Sequence, residues 1–195
     1  GIEQDSYDGE NIARYGDIVF CSVNHRLGAL GFSDLAGAGG EKYRHSGNAG
    51  MLDIVAALKW IQANIANFGG DPSNVTVMGQ SGGGSKVCLL CAMPAAKGLF
   101  HKAVALSGNT VKANNADYAE RLGNAILHEA GLDTSQVDSL QSVPWEQYLE
   151  LANRARQRMA AEDPGSRSGF APVADGIDIP KGIFFEGENR TTGSD

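Results

Sequence analysis

The sequence predicts an α/β fold, with a mostly parallel sheet covered by helices. Three observations carry that prediction. Short apolar, β-branched runs alternate with stretches whose apolar residues recur every three or four positions, the order of strand, helix, strand, turn, helix, strand. The first run, 17–24, is apolar almost throughout rather than at every second residue, as in a strand buried on both faces of a parallel sheet. Glycine is abundant, 26 of 195 residues, and clusters at 28–50, 69–70 and 79–84 without a period. Such clusters mark turns where backbone approaches backbone closely.

Taken in order, Asp17-Ile18-Val19-Phe20-Cys21-Ser22-Val23-Asn24 reads as the first strand, and the Gly- and charge-rich stretch 33–50 reads as a loop. Ile54, Leu58, Ile61, Ile65 and Phe68 then fall at helical spacing, which predicts a helix over about 51–67 with one apolar stripe. Gly69-Gly70-Asp71-Pro72 stops it. Val75-Thr76-Val77-Met78 is a second, short buried strand, followed by the glycine-rich turn 79–84 and a helix through Lys86-Val87-Cys88-Leu89-Leu90. Lys102-Ala103-Val104-Ala105-Leu106 is the third strand. From 114 to 161 the chain reads as helical, with Pro144 placed at a helix start and Asp163-Pro164-Gly165-Ser166 as a break. Residues 170–195 read as loop, ending in a polar tail from Glu186. With no repeat and no linker, residues 1–195 are expected to form a single domain.

Composition narrows the function classes. Hydrophobic residues at 42% and charged residues at 20% exclude a disordered chain. Lys+Arg 16 against Asp+Glu 23 gives a net charge of -7, which argues against nucleic acid or an anionic membrane surface as partner. No apolar run reaches the roughly 18 residues of a membrane span. Cys21, Cys88 and Cys91 are too few and odd in number for a disulfide framework and suit a reducing compartment, which leaves the cytoplasm and secretion both open with the cytoplasm slightly favoured. Cys88-x-x-Cys91 with His101 offers two thiol ligands at most and no second pair, so no metal site is predicted. Both cysteines are expected to pack as small apolar side chains.

Chemistry concentrates in one turn. Gly79-Gln80-Ser81-Gly82-Gly83 fits G-x-S-x-G between a predicted strand and a predicted helix. A nucleophile on so sharp a turn needs a strained backbone, and side chains two positions before and after it would collide. Glycine at 79 and 83 is expected to remove them. The turn then lifts the Ser81 hydroxyl above the sheet and leaves the Gly82 N–H, at a helix N-terminus, facing a developing oxyanion. A phosphate loop is the rival reading, because Gly79 and Gly84 have its spacing. It needs Lys at 85 and Ser or Thr at 86, whereas the chain has Ser85 and Lys86.

Around that turn stand further spaced blocks: Tyr7-Asp8-Gly9, Val23-Asn24-His25-Arg26-Leu27-Gly28, Gly47-Asn48-Ala49-Gly50-Met51-Leu52-Asp53, Phe68-Gly69-Gly70-Asp71-Pro72, Gly98-Leu99-Phe100-His101 and Ser107-Gly108. Phe170-Ala171-Pro172-Val173-Ala174-Asp175-Gly176 adds a P-V-x-D-G segment downstream. In these blocks the chain resembles the type B carboxylesterase/lipase family of α/β-hydrolases, particularly its bacterial para-nitrobenzyl-esterase-like members. The likeness is in register over most of 7–108 and thins between 109 and 168.

The resemblance implies a partial α/β-hydrolase fold with a nucleophile elbow. Ser81 would be the nucleophile, Gly82 an oxyanion-hole N–H, the substrate a small carboxylic ester, and no cofactor would be needed. Gln80 stands where many relatives have Glu, and Gly82 where many have Ala. Ser107 matches a serine that often supports the triad acid. The family's H-G-G-G oxyanion loop, its triad acid and its triad histidine are expected outside these residues. None of His25, His45, His101 and His128 falls at the catalytic histidine's place, so the 195 residues alone are expected to be inert. A different class shares the scaffold, the non-catalytic, neuroligin-like binding proteins. Those typically lose the nucleophile, and Ser81 is present.

Overall fold

The computed structural model describes residues 5–108, 112–162 and 169–182. In chain order the helices are α1 (Glu10–Gly16), α2 (Gly28–Phe32), α3 (Ala36–Gly39), α4 (Ala49–Asn64), α5 (Gly82–Leu90), α6 (Ala116–Glu129) and α7 (Trp145–Glu162). The strands are β1 (Thr76–Gln80) and β2 (Lys102–Leu106). The described residues divide into two units, one from 5–25 and 52–108, the other from 26–51, 112–162 and 169–182.

In the first unit, α4 turns Val55, Leu58 and Ile61 inward at helical spacing, and all three are buried. Gln62 ties this helix to two loops, its Nε2 donating to the carbonyls of Pro72 at 2.8 Å and Leu99 at 3.1 Å. After Asn64 the chain tightens into a 3₁₀ turn, Ile65–Phe68, and Gly69 ends it at φ 82°. The tightening moves the apolar stripe. Ile65 stays buried, whereas Phe68, expected on the stripe, is 62% exposed and lies against Trp60 at a 5.9 Å centroid distance. Three residues per turn rather than 3.6 rotate the last position away from the core.

β1 and β2 run parallel, from Thr76 opposite Lys102 to Gln80 opposite Leu106, and α5 packs on both strands. Val87, Leu89 and Leu90 form its buried side. Two expectations fail here. Residues 17–24 form no strand, and Ile18 and Val19 are exposed, because no ladder partner pairs with them among the described residues. β1, expected as a short buried strand, is alternately exposed and half-buried, and β2 beside it is exposed along its whole length. An apolar run is suited to being covered, but the covering must come from neighbours that the run does not specify.

The second unit is helical. Leu122, Ile126 and Leu127 of α6 pack with Leu151, Ala155 and Met159 of α7 over a core closed by Leu35, Tyr43, Val137 and Leu140. Asp133 and Gln136 form a reciprocal cap at the head of the 3₁₀ segment Thr134–Ser142. The Pro144 carbonyl accepts the Tyr148 N–H at 2.9 Å, so Pro144 opens α7 as expected. Residues 33–50 are short helical turns rather than an irregular loop. Glycine-rich composition concealed their local i→i+3 and i→i+4 bonding. The break expected at 163–166 and the polar tail from Glu186 lie outside the described residues.

Candidate active site

Ser81 lies between the last residue of β1 and the first of α5. Its backbone, at φ 54° and ψ −119°, occupies a region that side-chain-bearing residues avoid, at a cost of about 1–3 kcal/mol. Two hydrogen bonds hold it there. The Ser81 N–H donates to the Leu106 carbonyl at 2.8 Å, extending the ladder by one residue, and its carbonyl accepts the Ser85 N–H at 3.0 Å, opening the helix. A serine at a helix N-cap ordinarily accepts a backbone N–H on its hydroxyl. Ser81 makes no such side-chain cap and is exposed, so its Oγ remains available to a reactant.

The glycines explain how the turn closes, with one correction. A Cβ at Gly79 would run into the Gly83 carbonyl, and one at Gly108 into the carbonyl of Ser81. At Gly84 it would stand 3.1 Å from both the Gly79 and Leu106 oxygens. Gly83, expected to matter as much as Gly79, has open space where its Cβ would be. It sits in the first turn of α5, where a side chain points away from β1. Gly82 is the first residue of α5, so its N–H has no intrahelical acceptor and lies at the positive end of the helix.

A second strained serine stands beside the turn. Ser107 follows β2 with φ 50°, directly after the Leu106 carbonyl that holds Ser81. Lys86 was legible in the sequence only as a misplaced phosphate-loop lysine. In the structure its Nζ donates to the Gly82 carbonyl at 3.2 Å. The four-residue spacing from Gly82 to Lys86 on one helix was the signal that could have found it. His25 lies near enough to feel this lysine. Burial pushes its pKa down, the Lys86 charge pushes it further down, and the Asp53 charge pulls it up.

The remaining candidates have structural partners. His101 Nδ1 accepts the Val75 N–H at 3.1 Å, fixing the entry to β1. Cys91 Sγ donates to the Val87 carbonyl at 3.4 Å, and Cys88 is half-buried on the same helix. In the second unit, His45 Nδ1 lies 2.8 Å from the Asp178 carboxylate, and His128 Nδ1 2.8 Å from Arg158. No group of described residues has the make-up of a metal centre, and no described helix is long and apolar enough to cross a membrane.

The chain is similar to known proteins along most of its length. Residues 1–188 match the profile of the Carboxylesterase family. Over 175 residues the chain is 40% identical to the para-nitrobenzyl esterase of Bacillus subtilis (strain 168), covering 90% of the chain and 35% of that protein. The solved structure of a thermophilic PNB esterase superposes with a TM-score of 0.83 at 40% identity, over 92% of this chain and 36% of that one. The fold is therefore a partial α/β-hydrolase fold. Neuroligin-2 of Rattus norvegicus is a more distant relative, 33% identical over 89% of the chain and 20% of its own length. The chain thus spans about a third of the length of the esterases it matches.

Proposed function

The chain belongs to the Carboxylesterase family, and on that premise we propose that the protein carrying it hydrolyses carboxylic esters of small molecules, with Ser81 as nucleophile. The observation that carries this reading is the conformation of Ser81: strained, tied to sheet and helix through its backbone, and exposed with no capping bond on its hydroxyl. Ser81 Oγ attacks the ester carbonyl as a base takes its proton, and the tetrahedral oxyanion meets the Gly82 N–H. The alcohol leaves with a proton, and water then releases the acid from the acyl-serine.

The base is none of the chain's four histidines in this reading. The resemblance places the catalytic histidine and its acid elsewhere in the family's length, at none of His25, His45, His101 and His128. In this reading residues 1–195 are part of a single catalytic domain. A neuroligin-like binding role is not favoured, because the nucleophile is retained.

The test is substitution of Ser81 in the full-length protein. Ser81→Ala is expected to abolish nearly all hydrolysis of a short-chain nitrophenyl ester, and an organophosphate is expected to label Ser81 in the wild type. Labelling of a different serine, or an active Ser81→Ala variant, would overturn the assignment.

A further inference from the structure

We propose that Lys86 is a positioning residue of the elbow, whose ammonium holds the Gly82–Gly83 peptide through the Gly82 carbonyl and so limits the rotation about the Gly82 Cα on which the direction of the Gly82 N–H toward the oxyanion depends. The proposal rests on the reading of Ser81 and Gly82 given above. Helix α5 opens with three glycines, 82 to 84. Glycine is about 1 kcal/mol less favourable in a helix than alanine, because its backbone has more freedom to lose. An oxyanion donor needs the opposite property, a direction held to within about 10–20°. The chain therefore asks its most pliable residues to do its most exacting geometry.

The two peptide planes flanking the Gly82 Cα are each anchored. The plane before it is held through the Ser81 carbonyl, which accepts the Ser85 N–H at 3.0 Å and lies within 3.4 Å of the Ser85 hydroxyl. The plane after it is held through the Gly82 carbonyl, which stands in the helix ladder of α5 and also accepts from Lys86 Nζ at 3.2 Å. The Lys86 Nζ would stand 3.8 Å from a Cβ at Gly82, so the ammonium lies directly over that residue rather than out in solvent. A side chain with this much rotamer freedom is ordinarily left to water.

Its surroundings draw it in. Lys86 is half-buried, and burial lowers its pKa. His25, whose Nε2 is buried without a hydrogen-bond partner, is kept toward its neutral form by burial and by the lysine's charge, while Asp53 opposes that effect. The cation beside the elbow is therefore the lysine's.

The experiment uses the full-length enzyme with Lys86→Met, Lys86→Gln and Lys86→Arg, and Ser81→Ala as control. Lys86→Met is expected to keep a melting temperature close to wild type and to remain labelled by an organophosphate at Ser81. Its kcat is expected to fall about 10- to 100-fold, less than for outright loss of an oxyanion donor, with KM changed less than about threefold. Lys86→Arg, whose guanidinium reaches the same carbonyl, should recover most of the kcat. Lys86→Gln is too short to reach it and should lose as much as Lys86→Met, so it carries the test if the methionine variant folds poorly. A kcat within twofold of wild type in Lys86→Met or Lys86→Gln would overturn the proposal. So would an equal loss in Lys86→Arg. An active Ser81→Ala enzyme is a separate failure, of the elbow reading itself, and is seen without any Lys86 variant.

Discussion

Ser81 and Ser107 are two of the three non-glycine residues with positive φ among those described, and they stand at the ends of neighbouring strands. Strain of this kind persists only where surrounding contacts over-determine the backbone. Here those contacts are the Leu106 and Ser85 hydrogen bonds and the close approach of Gly79, Gly84 and Gly108. The glycines can be ranked by what a side chain would meet. Gly79→Ala is expected to destabilise the full-length protein by about 1–3 kcal/mol, because its Cβ overpacks against the Gly83 carbonyl. Gly83→Ala is expected to stabilise it by about 0.5–1 kcal/mol, by helix propensity and reduced freedom of the unfolded chain. Urea denaturation of both variants checks the pair, and opposite signs are the expected outcome. The G-x-S-x-G pattern alone made the two glycines equivalent. Only the course of α5 away from β1 distinguishes them.

Among the elements of the second unit, the segment carrying Pro172-Val173-Ala174-Asp175-Gly176 is held by side chains far from it in sequence. Asn48, fully buried, donates to the Val173 carbonyl at 2.8 Å and to Asp175 at 3.0 Å, and accepts the Val173 N–H at 2.9 Å. Asn48→Leu would leave the Val173 N–H without that partner, at about 1–3 kcal/mol, while the Val173 carbonyl keeps the Asp175 N–H at 2.9 Å. Faster amide exchange at Val173 than in the wild type is the expected result. Asp178 closes the same segment onto His45. Burial raises the Asp178 pKa, with the His45 hydrogen bond pulling it down and the Asp175 charge pushing it up. A carboxyl whose folded pKa is raised favours the fold while protonated and loses that contribution as pH rises through the folded pKa. Asp178→Asn should therefore gain stability relative to wild type between pH 3 and pH 7, the change beginning in the ordinary carboxylate range and being complete once the pH exceeds the raised folded pKa. Denaturant midpoints at the two pH values measure it. An unchanged difference would mean that the carboxylate is not disfavoured in the fold. The P-V-x-D-G block was visible in the sequence as a family segment, but its anchors were not, because Asn48 and Val173 are joined only by folding.

For the whole molecule, the acidic balance and the family blocks were legible without coordinates, whereas the exposure of the sheet was not. Met78, Val104 and Leu106 remain exposed, and among the described residues β1 and β2 pair only with each other. Unpaired strand edges and an uncovered apolar face favour association. A polypeptide of residues 1–195 alone is expected to bind a hydrophobic dye strongly and to hydrolyse a nitrophenyl ester no faster than its own Ser81→Ala variant. A wild-type rate hundreds of times higher would place a working base within the chain. The sequence by itself determined the elements with strong local signals: α4 and its apolar stripe as far as Ile65, the β1–turn–α5–β2 unit, the start of α7 at Pro144, and the candidate nucleophile. Periodicity, turn chemistry and a spaced motif are local properties, readable one segment at a time. Tertiary structure alone decided that 17–24 forms no strand, that Phe68 faces outward, that Gly79 rather than Gly83 carries the steric demand, and that Lys86 reaches back over Gly82. Each of those depends on which atoms arrive from another segment or on how a helix is wound, and neither is written in the residues that experience it.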